Sequence, residues 1–157
     1  MRRALCGIVA AIAGGLLLAG CGGAQRVATL SESDVDAFLA TAIAEGTAPT
    51  DSASFCVELS DDRQMCESSA MAASERFGAP PATADVLCAR LVSGTSAVAR
   101  IRAGTDDGAS VVSEIEIIRT PSGEVRAVDP VFWIPRVITA ETSSRPDGSS
   151  VLGDTCS

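Results

Sequence analysis

Glu114-Ile115-Glu116-Ile117-Ile118-Arg119-Thr120-Pro121-Ser122-Gly123-Glu124-Val125 decides the fold. Ile115 and Ile117 fall on one side of an extended chain, and Glu114 and Glu116 fall on the other. That two-residue period marks a half-buried strand. Pro121-Ser122-Gly123 is a turn, and a second apolar run follows it at once. So short a connection predicts an antiparallel hairpin.

Working upstream, the same texture predicts strands over residues 84–93, 96–103, 109–120 and 124–133, all rich in Val and Ile. Ser93-Gly94 and Gly104-Thr105-Asp106-Asp107-Gly108 supply the intervening turns. Val111 joins the Ile115 and Ile117 face. Arg100 and Arg102 alternate with Ala99 and Ile101, so a simple register places Arg and Glu together on one exposed face. Exposed pairs of this kind contribute only about 0–1 kcal/mol each.

Before residue 84 the period changes to that of helices. Residues 30–45 carry Val35, Phe38, Leu39, Ala42 and Ile43 at helical spacing. Ser31 and Asp34 form an acidic capping box, with Leu30 placed to staple onto Val35. Gly46 reads as the stop. Residues 53–59 predict a short helical turn carrying Cys56. Ser60 then caps a helix over residues 61–77, with Cys66, Ala70, Ala73 and Phe77 on one stripe and Gly78 and Pro80-Pro81 as its end. Helices followed by antiparallel strands make an α+β domain over residues 30–135: N-terminal helices on a four-stranded antiparallel sheet. Residues 136–157 follow as a C-terminal tail without clear periodicity.

The N-terminus speaks to location. Arg2-Arg3 precedes an apolar run ending in Leu18-Ala19-Gly20-Cys21. A charged start, an apolar middle and two small residues form an export signal. A Cys placed directly after the small pair resembles a bacterial lipobox. That resemblance implies a signal peptide over residues 1–20, cleavage between Gly20 and Cys21, and acyl chains of the palmitate kind on Cys21. It also implies residence on the extracytoplasmic face of the cell membrane. Two acyl chains, at about 0.8 kcal/mol per buried methylene, make a stable anchor. Residues 21–29 would then be the lipidated N-terminus and a short tether.

Removal of residues 1–20 would leave 137 of 157 residues. With Arg2 and Arg3 gone, the net charge would be −10 against −8 for the whole chain. So acidic a domain excludes nucleic acid as a partner and is repelled by anionic headgroups. Cys56, Cys66, Cys88 and Cys156 remain, an even number that in an exported domain predicts two disulfides. Three pairings are open, and Cys56–Cys66 with Cys88–Cys156 is favoured. The short loop contributes about 3 kcal/mol and the long one about 4 kcal/mol by chain entropy. The second link would pin the tail.

The helix order, Phe55-Cys56-Val57-Glu58-Leu59-Ser60 with a second Cys at 66, and the closing hairpin from Glu114 to Val125 through Phe132-Trp133 together resemble a known fold. It is the nuclear-transport-factor-2-like (cystatin-like, SnoaL-like) cone found in small actinobacterial lipoproteins. The resemblance covers roughly residues 30–135 and implies a curved sheet that can enclose a pocket. Phe38, Met71, Phe77, Phe132 and Trp133 are the bulky apolar side chains available to line it, although so few aromatics are also needed for the core.

The chain has no His and no Tyr, and it has no Lys. It therefore offers no His base or His metal ligand, no Tyr donor and no Schiff-base amine. Carboxylates remain for catalysis: Asp129 near Trp133, or Glu114 with Glu116. The latter spacing fits a solvated, Arg-paired strand face better. No motif holds a metal, cofactor or phosphate. The expectation is a non-catalytic, membrane-anchored envelope lipoprotein that binds another envelope protein. A carrier or sensor of a small apolar ligand is the alternative, and a carboxylate-dependent enzyme ranks third.

Overall fold

The computed structural model describes residues 28–48, 51–78, 80–104, 108–136 and 152. Three helices come first: α1 (Glu32–Thr47), α2 (Ser52–Leu59) and α3 (Arg63–Phe77). Four strands follow: β1 (Thr83–Leu91), β2 (Ser96–Gly104), β3 (Ser110–Arg119) and β4 (Val125–Ala127). They form one antiparallel sheet in the order β1-β2-β3-β4. The chain is thus α+β, with helices packed on a four-stranded sheet.

Helix α1 starts where its capping box demands. The Ser31 hydroxyl accepts the Asp34 N–H at 3.2 Å, and the Asp34 carboxylate accepts the Ser31 N–H at 2.9 Å. Each closes a backbone donor that the first turn leaves open. Val35, Phe38, Leu39 and Ala42 are buried, as their spacing requires. Gly46 does not stop this helix, which runs on to Thr47. It is instead a buried point of close approach. A Cβ there would lie 2.6 Å from Cε1 of Phe132 and 3.3 Å from Cε2 of Phe55. The missing side chain lets α1 seat against those two rings.

Ser60 does not cap α3. Asp62 does, accepting the Met65 N–H at 3.0 Å. Ser60 instead closes α2 and bridges to Ala127 of β4, its hydroxyl donating to the carbonyls of Asp62 and Val128 at 2.8 and 3.3 Å. Gly78, at φ 83°, ends α3. Cys56 and Cys66 form a disulfide that ties α2 to α3, with Cα atoms 5.6 Å apart.

The sheet registers Ala97, Ala99, Ile101 and Ala103 of β2 against Ile117, Ile115, Ser113 and Val111 of β3. These side chains, with Ala127 of β4, face the helices. Most belong to one buried cluster with Leu39, Phe55, Cys56, Cys66, Phe132 and Trp133. Much of the sheet contribution is Ala, so the helical layer sits close.

Two strand expectations need correction. The last strand is three residues long, not ten. Val128 still donates to the Glu116 carbonyl, but Pro130 has no N–H to continue the ladder. Phe132 and Trp133 then turn into the core. The chain returns so that Arg136 bridges Ser113 in parallel and its carbonyl accepts the Glu114 N–H at 2.9 Å.

The Arg and Glu residues do not share one solvated face. Arg100 opposes Glu114, but Arg102 opposes Val112 and Glu116 opposes Val98. Glu114 is only 2% exposed, and Val98 on the same side is equally buried. The face away from the helices is therefore covered at its centre.

Candidate functional site

Among the described residues two carboxylates are buried, Glu114 and Asp129. Glu114, in mid-β3, accepts from Nε and Nη2 of Arg100 at 3.0 and 2.7 Å through a single oxygen. Asp129 sits in the turn after β4, 3% exposed. One of its oxygens accepts the Val131 N–H at 3.1 Å. The other accepts the Ser69 hydroxyl of α3 and Nη2 of Arg136, each at 2.6 Å. Asp129 thus ties α3, the aromatic turn and the returning chain together. Each carboxylate is held in place by charge-assisted hydrogen bonds from an arginine. Glu114 and Glu116 share a face, but only Glu114 is buried.

Two more arginines tie the helices to the sheet. Arg119, at the end of β3, donates to Asp34 of α1 and to the Gly123 carbonyl at 2.7 Å. The Ser31 hydroxyl and N–H, then Arg119, hold the Asp34 carboxyl down at about 2. Arg126 of β4 donates to the carbonyls of Val57 and Glu58, the open C-terminal end of α2.

The five side chains considered for a pocket do not converge on one. Phe38, Phe132 and Trp133 lie in the core. Trp133 packs on Phe55 with centroids 5.4 Å apart and meets Phe132 edge-on at 5.1 Å. Phe77 is half-buried beneath the Arg76 guanidinium, 5.3 Å from the ring centre. Met71 is 63% exposed on the outer side of α3, so it lines no interior. Next to Trp133 there is a cavity of only about 30 Å³, room for one water.

Larger spaces are open grooves. One of about 520 Å³ runs between α1 and β1, lined by Glu32, Val35, Asp36, Val86, Ala89, Arg90 and Leu91. Another, of about 600 Å³, lies along α3 beside Met71. Neither buried carboxylate lines these grooves. No cluster of three metal-ligating side chains occurs among the described residues.

Cys88 on β1 is disulfide-bonded. Its partner lies outside the described residues, since Cys56 and Cys66 are bonded to each other. Gly20, Cys21 and Cys156 also lie outside the described residues. Among the described residues, no helix is long and apolar enough to cross a membrane.

Hydrophobic period could not have found the Asp129 cluster. Ser69 and Asp129 are 60 residues apart in sequence. The only local signal was Asp129-Pro130, an acid beside a residue that ends a strand. Comparison with protein-family models, curated proteins and solved structures finds no match.

Proposed function

We propose that this chain is a lipid-anchored envelope protein whose domain is a non-catalytic binding module for another envelope protein. The order Leu18-Ala19-Gly20-Cys21 behind Arg2-Arg3 carries the anchoring part. Residues 1–20 act as the signal, and Cys21 bears the lipid. Leu30 donates its N–H to the Gly94 carbonyl at 2.7 Å, so the tether enters the domain beside the β1–β2 turn. The anchor then holds that end of the sheet toward the bilayer.

The binding-module part is supported by the small space beside Trp133 and by occupied carboxylates. A carrier of the small-ligand kind needs a cavity of several hundred cubic ångströms. The space beside Trp133 is about 30 Å³. Asp129 and Glu114 are engaged by Arg136 and Arg100 and serve as structural ties. Exposed apolar side chains stand on the surface instead, Val86, Leu91 and Val92 at the sheet edge and Met65 and Met71 on α3. The cone reading belongs to the same proposal: three helices on one face of an antiparallel meander suit a nuclear-transport-factor-2-like shape whose interior has been filled.

Metabolic labelling with a fatty-acid analogue tests the anchor. The wild type should label, and Cys21→Ser should abolish labelling and leave either a released chain or an unprocessed precursor. Persistent labelling of Cys21→Ser would overturn it. Co-purification from membranes tests the module. A stoichiometric small apolar molecule would favour the carrier instead.

A further inference from the structure

The turn that receives the tether carries no charge, in a chain whose net charge is −8. Leu91-Val92-Ser93-Gly94-Thr95-Ser96 leads from β1 into β2, and no charged residue follows until Arg100. Residues 91–95 are exposed, Val92 by 41%. The β3–β4 turn lies alongside, because Arg119 donates its N–H to the Thr95 carbonyl at 2.8 Å. Its residues Thr120-Pro121-Ser122-Gly123 are also uncharged.

Most polar groups of the β1–β2 turn already have partners. The Gly94 carbonyl accepts the Leu30 N–H at 2.7 Å. The Ser96 carbonyl accepts the N–H groups of Val92 and Ser93 at 2.9 and 3.1 Å. The hydroxyls of Ser93 and Ser96 bond to each other at 2.8 Å, and the Thr95 N–H donates to the Ser93 hydroxyl at 3.1 Å. A polar group that is paired inside the protein loses little on leaving water. This turn can therefore enter a less aqueous layer at small cost, with Val92 as its apolar point.

The tether leaves from the same place. A Cβ on Gly94 would lie 3.7 Å from Cγ2 of Thr29, so the chain entering the domain passes against the turn. From Thr29 back to Cys21 is eight residues, which span at most about 28 Å. An anchor so close raises the local concentration of lipid at the turn, and a weak contact becomes populated. Glu32, Asp34 and Asp36 start the neighbouring α1, and Glu124 follows the β3–β4 turn. These acids are repelled by anionic headgroups, so a zwitterionic surface suits this end better.

We propose that the β1–β2 turn, led by Val92, rests in the headgroup layer of a zwitterionic bilayer and sets how the domain stands on the membrane. The proposal rests on the reading of Cys21 as the lipid anchor. It adds a second, non-covalent contact whose chemistry is that of apolar burial at the interface.

Photolabelling of the full chain tests it. The protein extracted from membranes is reconstituted into phosphatidylcholine vesicles that contain a phosphatidylcholine with a diazirine near the start of one acyl chain. Illumination, reduction and tryptic mapping then locate the label. Residues 91–100 should label, and residues 77–90, which run back along β1, should not. Val92→Asp should cut the labelling of residues 91–100 by about threefold or more while recovery with the vesicles stays unchanged. Val92 is exposed, and a circular dichroism melt checks that the variant folds. Residues 91–100 without label in a chain recovered with the vesicles would overturn this proposal and leave the anchor standing. So would label spread equally over residues 77–90, or labelling that ignores Val92→Asp. A chain not recovered with the vesicles would overturn the anchor and this proposal together.

Discussion

On the helix side of the sheet stand Ala97, Ala99, Ile101, Ala103, Ile115 and Ile117, every one of them fully buried. On the other side stand Val98, Arg100, Arg102, Val112, Glu114 and Glu116, which span the whole range from buried to exposed. Val98 and Glu114 are buried there while Val112 is 42% exposed. The first side is covered by elements whose own period announces them. The second is covered only in places. The alternation of polar and apolar residues thus tells which side chains share a face, and it does not tell whether that face meets water. Leu152 is also buried and lies outside the helix-side cluster, and no strand period anticipates it.

Neighbouring residues on β3 break this comparison most sharply. Ile115→Ala opens a cavity on the helix side and should destabilise the domain by about 4 kcal/mol. Chemical denaturation with an unchanged slope would measure it. The expected Cys88–Cys156 link bears on the other side. If it closes the tail over that face, Cys88→Ser should cost about 4 kcal/mol. Non-reducing peptide mapping should recover the 88–156 peptide pair; a link from Cys88 to any other cysteine would refute that pairing.

Glu114→Ala leaves Arg100 with a lost partner on a covered face and should cost about 2 kcal/mol, less than a fully buried pair because Arg100 is 17% exposed. Glu116→Ala, two residues away on the same face, should change stability by less than about 0.5 kcal/mol. Equal small effects would mean that the outer face is open to water. If Glu114→Ala matched Ile115→Ala instead, the two faces would be alike.

The smallest effect concerns pH. The Asp34 carboxyl is held at about 2 against an ordinary 3.8. A depressed carboxyl stabilises the fold above its ordinary value, and that contribution is lost as pH falls from about 4 toward 2. Asp34→Asn should therefore lower stability at neutral pH and show a shallower loss across that acid window. Acid titration followed by circular dichroism would check the sign.

These contrasts show how far the sequence carries. The Ser31–Asp34 capping box and the α1 stripe were legible because both are local patterns with one physical meaning. The Cys56–Cys66 bridge was legible as the pairing that closes the shortest loop. Gly46 was misread because a glycine that stops a helix and one that admits a neighbouring ring look the same in sequence. The fourth strand was overextended because Val128 to Trp133 is apolar enough for a strand, and only Pro130 argues otherwise. Glu114 was assigned to solvent because alternation along a strand shows which side chains share a face and not how deeply that face is buried. Asp129 was noted as a candidate acid, but its partners Ser69 and Arg136 become neighbours only once the chain has folded. Met71 falls off the α3 stripe of Cys66, Ala70 and Ala73, and its position on the outer side follows from that phase.

The most direct test of the account is the intact mass of the protein extracted from membranes under non-reducing conditions. The account predicts a chain beginning at Cys21 and carrying the mass of its acyl chains, with two disulfides and no small-molecule adduct. A chain that retains residues 1–20, or one with an unmodified Cys21, would contradict it.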